Sequence, residues 1–232
     1  MIPIRDDAPK YTTPYVTYLL IALNLIIFLF ELMLGSNDRN AFVLQFGVLP
    51  AKLPAAFHPG ANVSLAGAFL PLLTSMFLHA SWLHVIFNMW ALWIFGDNVE
   101  DYLGHFRYLA FYLASGLIAG FVHILFNWGS TVPTVGASGA IAGVMGAYFL
   151  LFPSARVLTL VPFFFVFLTW LPAWVILGYW FVVQFLSGAA TAIAYSNQTA
   201  GGVAFWAHVG GFIAGLAMIK LLPARPQRFS YE

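Results

Sequence analysis

Apolar residues in this chain fall into runs too long for the half-buried helices or strands of a water-soluble domain. Residues 1–10 are polar and charged, and an unbroken apolar run follows over residues 15–34. That run supplies the roughly 20 residues needed to cross a bilayer. A secretory signal would have a shorter core and a small-residue cleavage site, so the run is expected to be a retained first span. Residues 35–71 form a long, mildly apolar connection interrupted by Pro50, Pro54, Pro59, Gly60 and Gly67, expected to lie partly in the membrane interface. A second span starts at Leu72 or Ser81 and ends at Phe95, ahead of Gly96-Asp97-Asn98-Val99-Glu100-Asp101. A third covers residues 104–126 and stops at Asn127-Trp128-Gly129-Ser130. The fourth starts at Ser138 and ends near Pro153. Residues 157–170, bounded and cut by Pro153, Pro162 and Pro172, read as a short extended or interfacial piece. A fifth span (173–190) and a sixth (202–222) follow, separated by Ser196-Asn197-Gln198-Thr199. The pattern predicts an all-α membrane protein with six transmembrane helices. Residues 1–14 would form a short cytoplasmic N-terminus, 15–222 the membrane domain and 223–232 a basic cytoplasmic tail, with no soluble second domain.

Composition narrows the function classes. The chain is 62% hydrophobic and 7% charged, against about 25% charged in ordinary soluble domains. Its net charge of +1 leaves no basic field for nucleic acid. The absence of cysteine excludes disulfides, thiolate metal sites and a thiol nucleophile. The 24 phenylalanines suit a lipid-facing surface with interfacial belts. Six spans place both termini on one side. Arg5, Lys10, Arg107, Arg156, Lys220, Arg225 and Arg228 then share that side, and only Arg39 and Lys52 lie opposite. The positive-inside rule makes the shared side cytoplasmic. The expected location is a bacterial inner (plasma) membrane.

In that topology spans two, four and six run in the same direction, from outside to inside, and their first halves share a leaflet. Those halves hold His84, Asn88, Ser138 and His208. Polar and ionisable groups within a membrane are costly and mark function by default. His84 and Asn88 are four apart and share a helix face. Gly139, Gly143 and Gly146 stripe span four, and Gly211 and Gly215 stripe span six, which permits close backbone approach. By itself Gly136-Ala137-Ser138-Gly139 is compatible with mere helix packing or with a nucleophilic serine. The convergence of three spans on one depth favours chemistry.

Together with His79-Ala80-Ser81-Trp82-Leu83-His84-Val85-Ile86-Phe87-Asn88, His208 followed by Gly211 and Gly215, and Gly104-His105-Phe106-Arg107, these motifs resemble the rhomboid intramembrane serine proteases. The similarity runs over residues 70–222. It implies a six-helix rhomboid-like bundle around a water-filled cavity open to the outer face. Ser138 would be the nucleophile and His208 its general base, while His84 and Asn88, with the Ser138 backbone N–H, would form an oxyanion hole.

The chemistry is coherent beside the resemblance. Serine needs an adjacent base to attack a peptide carbonyl. No acid lies at the right depth: Asp97, Glu100 and Asp101 are cytoplasmic, and Glu31 ends span one. A Ser–His dyad is therefore expected rather than a triad. No cofactor or metal is implied. The expected partners are the lipid bilayer and membrane-protein substrates, single-span or polytopic, cut within or beside a transmembrane segment. His79 is expected to anchor structure, His58, His105 and His123 to lie in loops or the interface, and Glu100 and Arg107 to tie spans two and three together. Many members of the family carry a Trp-Arg pair where Leu70-Pro71 stands here, and some a tyrosine where Ala142 stands. Span five, with Pro172, Trp180, Phe181 and Phe185, is a candidate gate, and residues 191–201 a candidate cap. The competing readings are a catalytically inactive rhomboid-like client binder and a solute transporter, the latter disfavoured by the lack of an internal repeat with paired broken helices.

Overall fold

The computed structural model describes residues 1–60, 62–162, 166–194 and 204–225. After strand β1 (Ile2–Asp6) comes helix α1 (Tyr15–Met33), then α2 (Ser36–Phe46), α3 (Lys52–Ala55) and α4 (Leu65–Thr74). A 3-10 turn (Ser75–Phe77) leads to α5 (Trp82–Leu103), α6 (His105–Phe126) and α7 (Ser138–Leu151). Strands β2 (Arg156–Pro162) and β3 (Val166–Pro172) precede α8 (Ala173–Ala194) and α9 (Phe205–Ile219). Among the described residues, α1, α6 and α8 are long and apolar enough to cross a membrane. The pair Leu65–Phe77 and Trp82–Leu103, bent by 78°, counts as a fourth span if taken together. Helices α7 and α9 are apolar but shorter, with 14 and 15 residues. The chain is thus mostly helical, with three to four candidate spans.

Three features correct the sequence reading. The fold is not all-α: β1, β2 and β3 form an antiparallel sheet in that order. Irregular backbone beside a bilayer must find hydrogen-bond partners within the protein. The β-branched and aromatic residues of 157–170 do so as a hairpin, and Ile2–Asp6 adds a third strand, with Arg5 opposite Leu158 and Leu158 opposite Trp170. The Trp90 indole donates to the Pro3 carbonyl at 2.7 Å, fixing β1 along α5. Secondly, the connection between spans one and two is largely helical (α2 to α4), and Pro71 sits inside α4. Thirdly, α5 does not end at Phe95. It continues through the Gly-Asp-Asn-Val-Glu-Asp segment to Leu103 and stops at Gly104, whose φ of 78° suits only glycine.

That extra length has a structural use. Glu100, fully buried, accepts hydrogen bonds from Val16 N (2.9 Å), Thr17 N (2.8 Å) and Thr17 Oγ1 (2.7 Å), which are orphan donors at the start of α1. Its other neighbour is His105 Nδ1 at 2.6 Å. Glu100 therefore ties span one to span two and to the first residue of span three. Arg107 reaches the Pro223 carbonyl at 3.3 Å rather than a neighbouring span. Lys10–Asp97, Arg156–Asp7 and Arg225–Asp101 are ion pairs at this same end. At the opposite end, Arg39 lies 3.8 Å from buried Glu31. Arg228, residues 163–165 and most of the candidate cap (195–201) lie outside the described residues.

Candidate active site

Ser138 begins α7, and the four residues ahead of it are pinned from both sides. Thr134 pairs with Val48 through two backbone hydrogen bonds of 2.8 and 2.9 Å. Gly136 N donates to the Ser75 carbonyl at 2.9 Å. Gly136 has φ 132°, and a Cβ placed there would stand 2.7 Å from His84 Cε1 and Nε2 and 3.7 Å from Asn88 Nδ2. Only glycine fits both the turn and the imidazole. His84 and Asn88 are thereby brought against the turn that presents Ser138, on a helix whose first turn is capped by Ser81 Oγ accepting from His84 N.

Helix α9 arrives through the glycine stripe. A Cβ on Gly211 would collide with the Gly139 carbonyl, and one on Gly215 with the Gly143 carbonyl. The two backbones lie in contact, as small-residue faces allow. This places His208 Nε2 2.7 Å from Ser138 Oγ. His208 is 8% exposed, so its ring is fixed by packing as well as by hydrogen bonding. Its Nδ1 stands 2.7 Å from Oε1 of Gln184 on α8. Trp180, one turn before Gln184, lies with its ring centroid 5.6 Å from that of His208. Gln184 is not among the residues expected from the sequence, and Trp180 is expected there only as part of a gate. The i, i+4 spacing of these two residues is the signal that was available.

Other expected residues fall into place around this pair. His79, fully buried, has Nε2 3.0 Å from Asn88 Nδ2, while its backbone N–H donates to Glu31 Oε1 at 3.1 Å. Arg39 donates to the carbonyls of His79 and Ala80 at 3.2 Å, bracing the loop ahead of α5 from α2. Leu70 and Pro71 belong to α4, so the loop's cationic brace comes from elsewhere in the chain. His123, in the last turn of α6, is buried, 2.9 Å from Thr134 Oγ1. With Ser75, Met76, Thr134 and Ser138 it lines a cavity of about 30 Å³, room for an ordered water. His105 belongs to the Glu100 network and His58 is exposed. Among the described residues no carboxylate hydrogen-bonds to His208, and no cluster of His, Cys, Asp and Glu has the makings of a metal site.

A family model described as the rhomboid domain matches residues 66–225. The chain belongs to the rhomboid family. It is 31% identical over 156 residues to the zebrafish (Danio rerio) mitochondrial presenilin-associated rhomboid-like protein A, covering 63% of this chain and 36% of that protein. It is 35% identical over 134 residues to the rhomboid protease GluP of Bacillus subtilis, covering 58% of this chain and 24% of GluP. With mitochondrial rhomboid protein 1 of Saccharomyces cerevisiae the figures are 30% over 151 residues, 63% and 40%. This rhomboid's matched region thus spans between about a quarter and two fifths of the length of these relatives. Its apolar helices and its family make it a membrane protein. Relatives named as mitochondrial do not support the narrower expectation of a bacterial plasma membrane.

Proposed function

We propose that this rhomboid is an intramembrane serine endopeptidase that cuts peptide bonds within or beside transmembrane segments of other membrane proteins. The observation that carries the reading is the 2.7 Å approach of His208 Nε2 to Ser138 Oγ, within the 2.6–3.2 Å in which an imidazole can take a serine proton. In the reaction, His208 accepts the Oγ proton as Oγ attacks the scissile carbonyl. His84, Asn88 and the Ser138 N–H hold the oxyanion, and His208 returns the proton to the leaving amine. Water then hydrolyses the acyl-enzyme through the same base. A substrate helix hides its carbonyls in i to i−4 hydrogen bonds, so it must unwind locally, which favours Gly, Pro or small residues near the cut.

We place the six spans at α1, the bent α4–α5 pair, α6, α7, α8 and α9. The residues ahead of α1 and the described end of the chain at Arg225 share the face where Lys10, Arg156 and Arg225 pair with Asp97, Asp7 and Asp101. That face is the cytoplasmic one by charge, so the site opens to the other. Ser138 is about 15 Å along α7 from Tyr148, whose hydroxyl donates to Asp6 at the charged end. Non-hydrolytic binding of membrane clients is the second reading, because several relatives are named rhomboid-like rather than protease. A fluorophosphonate probe separates the two without a known substrate. The wild-type protein in detergent is expected to be labelled at Ser138, and neither Ser138→Ala nor His208→Ala should label at a comparable rate. Unlabelled wild-type protein, or labelling indifferent to His208, overturns the protease reading. Cleavage of a model single-span substrate, abolished by Ser138→Ala, completes the test.

A further inference from the structure

A neutral imidazole has two tautomers, and only one of them can act as a base toward Ser138. Nε2 must carry a lone pair, so the proton must sit on Nδ1. In a Ser–His–Asp triad a carboxylate holds that proton in place. Here, among the described residues, no carboxylate hydrogen-bonds to His208. Its Nδ1 instead faces Gln184 Oε1 at 2.7 Å, on the side of the ring opposite the Ser138 contact. We propose that Gln184 is a positioning residue that fixes His208 in the Nδ1–H tautomer, doing with an amide oxygen what an acid does elsewhere. The proposal rests on the protease reading of the same site.

The placement is specific. Gln184 is the one amide or charged side chain in α8, amid Trp, Phe, Val and Leu. An amide at such depth costs free energy unless it finds a partner. Trp180 and Gln184 lie one turn apart and both contact His208, the first with its ring tilted by 37° to the imidazole and the second at its Nδ1 edge. Gly188, one turn further, lies against Phe205 and Trp206, at the start of the helix that carries His208. The row 180–184–188 of α8 is therefore the surface that α9 reads. A glutamine suits the site because its amide oxygen accepts a hydrogen bond from the imidazole N–H without bringing a charge into the bundle. An amide can also turn over. With its NH₂ toward Nδ1 it would donate, moving the imidazole proton to Nε2 and pointing it at Ser138. The orientation of one side-chain amide thus separates an active base from an inactive one.

The test reads the tautomer directly. Protein labelled with ¹⁵N at histidine and carrying Ser138→Ala has no serine hydroxyl to bias the ring, so Gln184 alone sets the tautomer. His208 is expected to show a protonated Nδ1 and an unprotonated Nε2 in detergent micelles, and adding Gln184→Leu should abolish that preference. In the Ser138 protein, Gln184→Leu should slow fluorophosphonate labelling on the order of 10- to 100-fold, the effect of leaving a buried donor unpaired. Gln184→Glu, with an acceptor oxygen at the same reach, should recover most of the rate, although its buried carboxyl should lower the melting temperature below that of wild type. A predominantly Nε2–H ring in the parent protein overturns the proposal. So does a Gln184→Leu variant that slows labelling without changing the tautomer, because that is a packing effect. If the wild-type protein fails to label at all, the protease reading falls, while the ¹⁵N spectra still decide whether Gln184 sets the tautomer.

Discussion

Replacing Gly211 by alanine is the sharpest test of how the backbone brings the two reacting groups together. The added Cβ would lie well inside 3.0 Å of the Gly139 carbonyl oxygen, a separation that real Cβ atoms essentially never show. Its obstacle is backbone on the helix that begins with Ser138, so no side-chain rotation relieves the clash. Carbon–oxygen contacts settle at about 3.3 Å, which requires α9 to retreat from α7 by about 1 Å. His208 lies one turn before Gly211 on the same helix and moves with it. The 2.7 Å contact with Ser138 then passes beyond the 3.2 Å limit for proton transfer. A misplacement of about 1 Å at a reacting centre costs around 100-fold in rate. Overpacking of this kind costs about 1–3 kcal/mol in stability, offset in part by alanine's better helix propensity. We therefore expect the fluorophosphonate labelling rate of Gly211→Ala to fall by about 100-fold, while the melting temperature in detergent falls by a few degrees. Gly178→Ala is the control, since a Cβ there meets only Phe149 Cε2 at 3.8 Å, an ordinary contact. That variant should label at the wild-type rate. A Gly211→Ala protein that labels as fast as wild type would show that the α7–α9 contact does not set the Ser–His distance.

Further outcomes follow from individual contacts. Asn88→Ala removes an amide donor from the candidate oxyanion hole and should lower turnover of a model substrate by about 100- to 1,000-fold, with KM little changed. His79→Ala, which frees Asn88 from its 3.0 Å partner, should reduce turnover less than Asn88→Ala, and the double variant should match Asn88→Ala alone. Glu100→Ala leaves the Val16 and Thr17 donors unpaired and should cost about 1–3 kcal/mol, read as a lower melting temperature with the labelling rate per folded molecule unchanged. Asp6 has its pKa raised to about 6 by burial, against the pull of the Tyr148 hydrogen bond, with Asp97 adding to the rise and Lys10 opposing it. A carboxyl whose folded pKa exceeds its unfolded value of 3.8 favours the fold when protonated, and that stabilisation is lost as pH rises from about 4 to about 6. Asp6→Asn should therefore melt higher than wild type at pH 7.5, with the difference vanishing near pH 4.

The helices were legible because bilayer crossing imposes length and hydrophobicity on sequence. Residues 15–34 read as α1 almost to the residue, and Ser138 was correctly seen to begin a helix. Residues 157–170 read as an extended or interfacial piece, but the third strand of the sheet was not legible, because β1 lies about 150 residues away from β2 in the sequence. Nothing in the polar composition of residues 1–10 reveals that Pro3 will receive a hydrogen bond from Trp90. The end of α5 was misjudged for a related reason. Asp97 and Glu100 look like loop residues, yet one pairs with Lys10 and the other caps α1. Charges that are buried in a fold resemble charges in solvent when only their neighbours in sequence are visible. Around the site, Ser138, His84, Asn88 and His208 stood out as polar residues in apolar spans. Gln184 was as polar, but the other polar side chains of its span, Ser187 and Thr191, carry hydroxyls alone and suggest no acid–base cluster. Its significance depends on the α8–α9 contact, which local periodicity does not encode.

Once Gln184 is included, the supports of the site share one property. His208 is held by Ser138 and Gln184, Asn88 by His79, and the approach to Ser138 by Thr134, which contacts His123. Each of these groups is neutral or can be neutral. The carboxylate of Glu31 acts one step away from the site by accepting from the His79 backbone. The carboxylates Asp6, Asp7, Asp97, Glu100 and Asp101 gather at the other end, where Lys10, Arg156 and Arg225 meet three of them. From Val157 to Ile219 the sequence contains no Asp, Glu, Lys or Arg. A carboxylate beside His208 would have to be desolvated in the bundle before it could orient the ring, and burying an unpaired charge costs several kcal/mol. An amide oxygen gives the same direction to the Nδ1 proton at much lower desolvation cost, though it stabilises the imidazolium less. A site built this way should depend more on exact packing than on charge. Gly211→Ala is therefore expected to be more damaging than Gln184→Leu, although Gly211 touches neither reacting group.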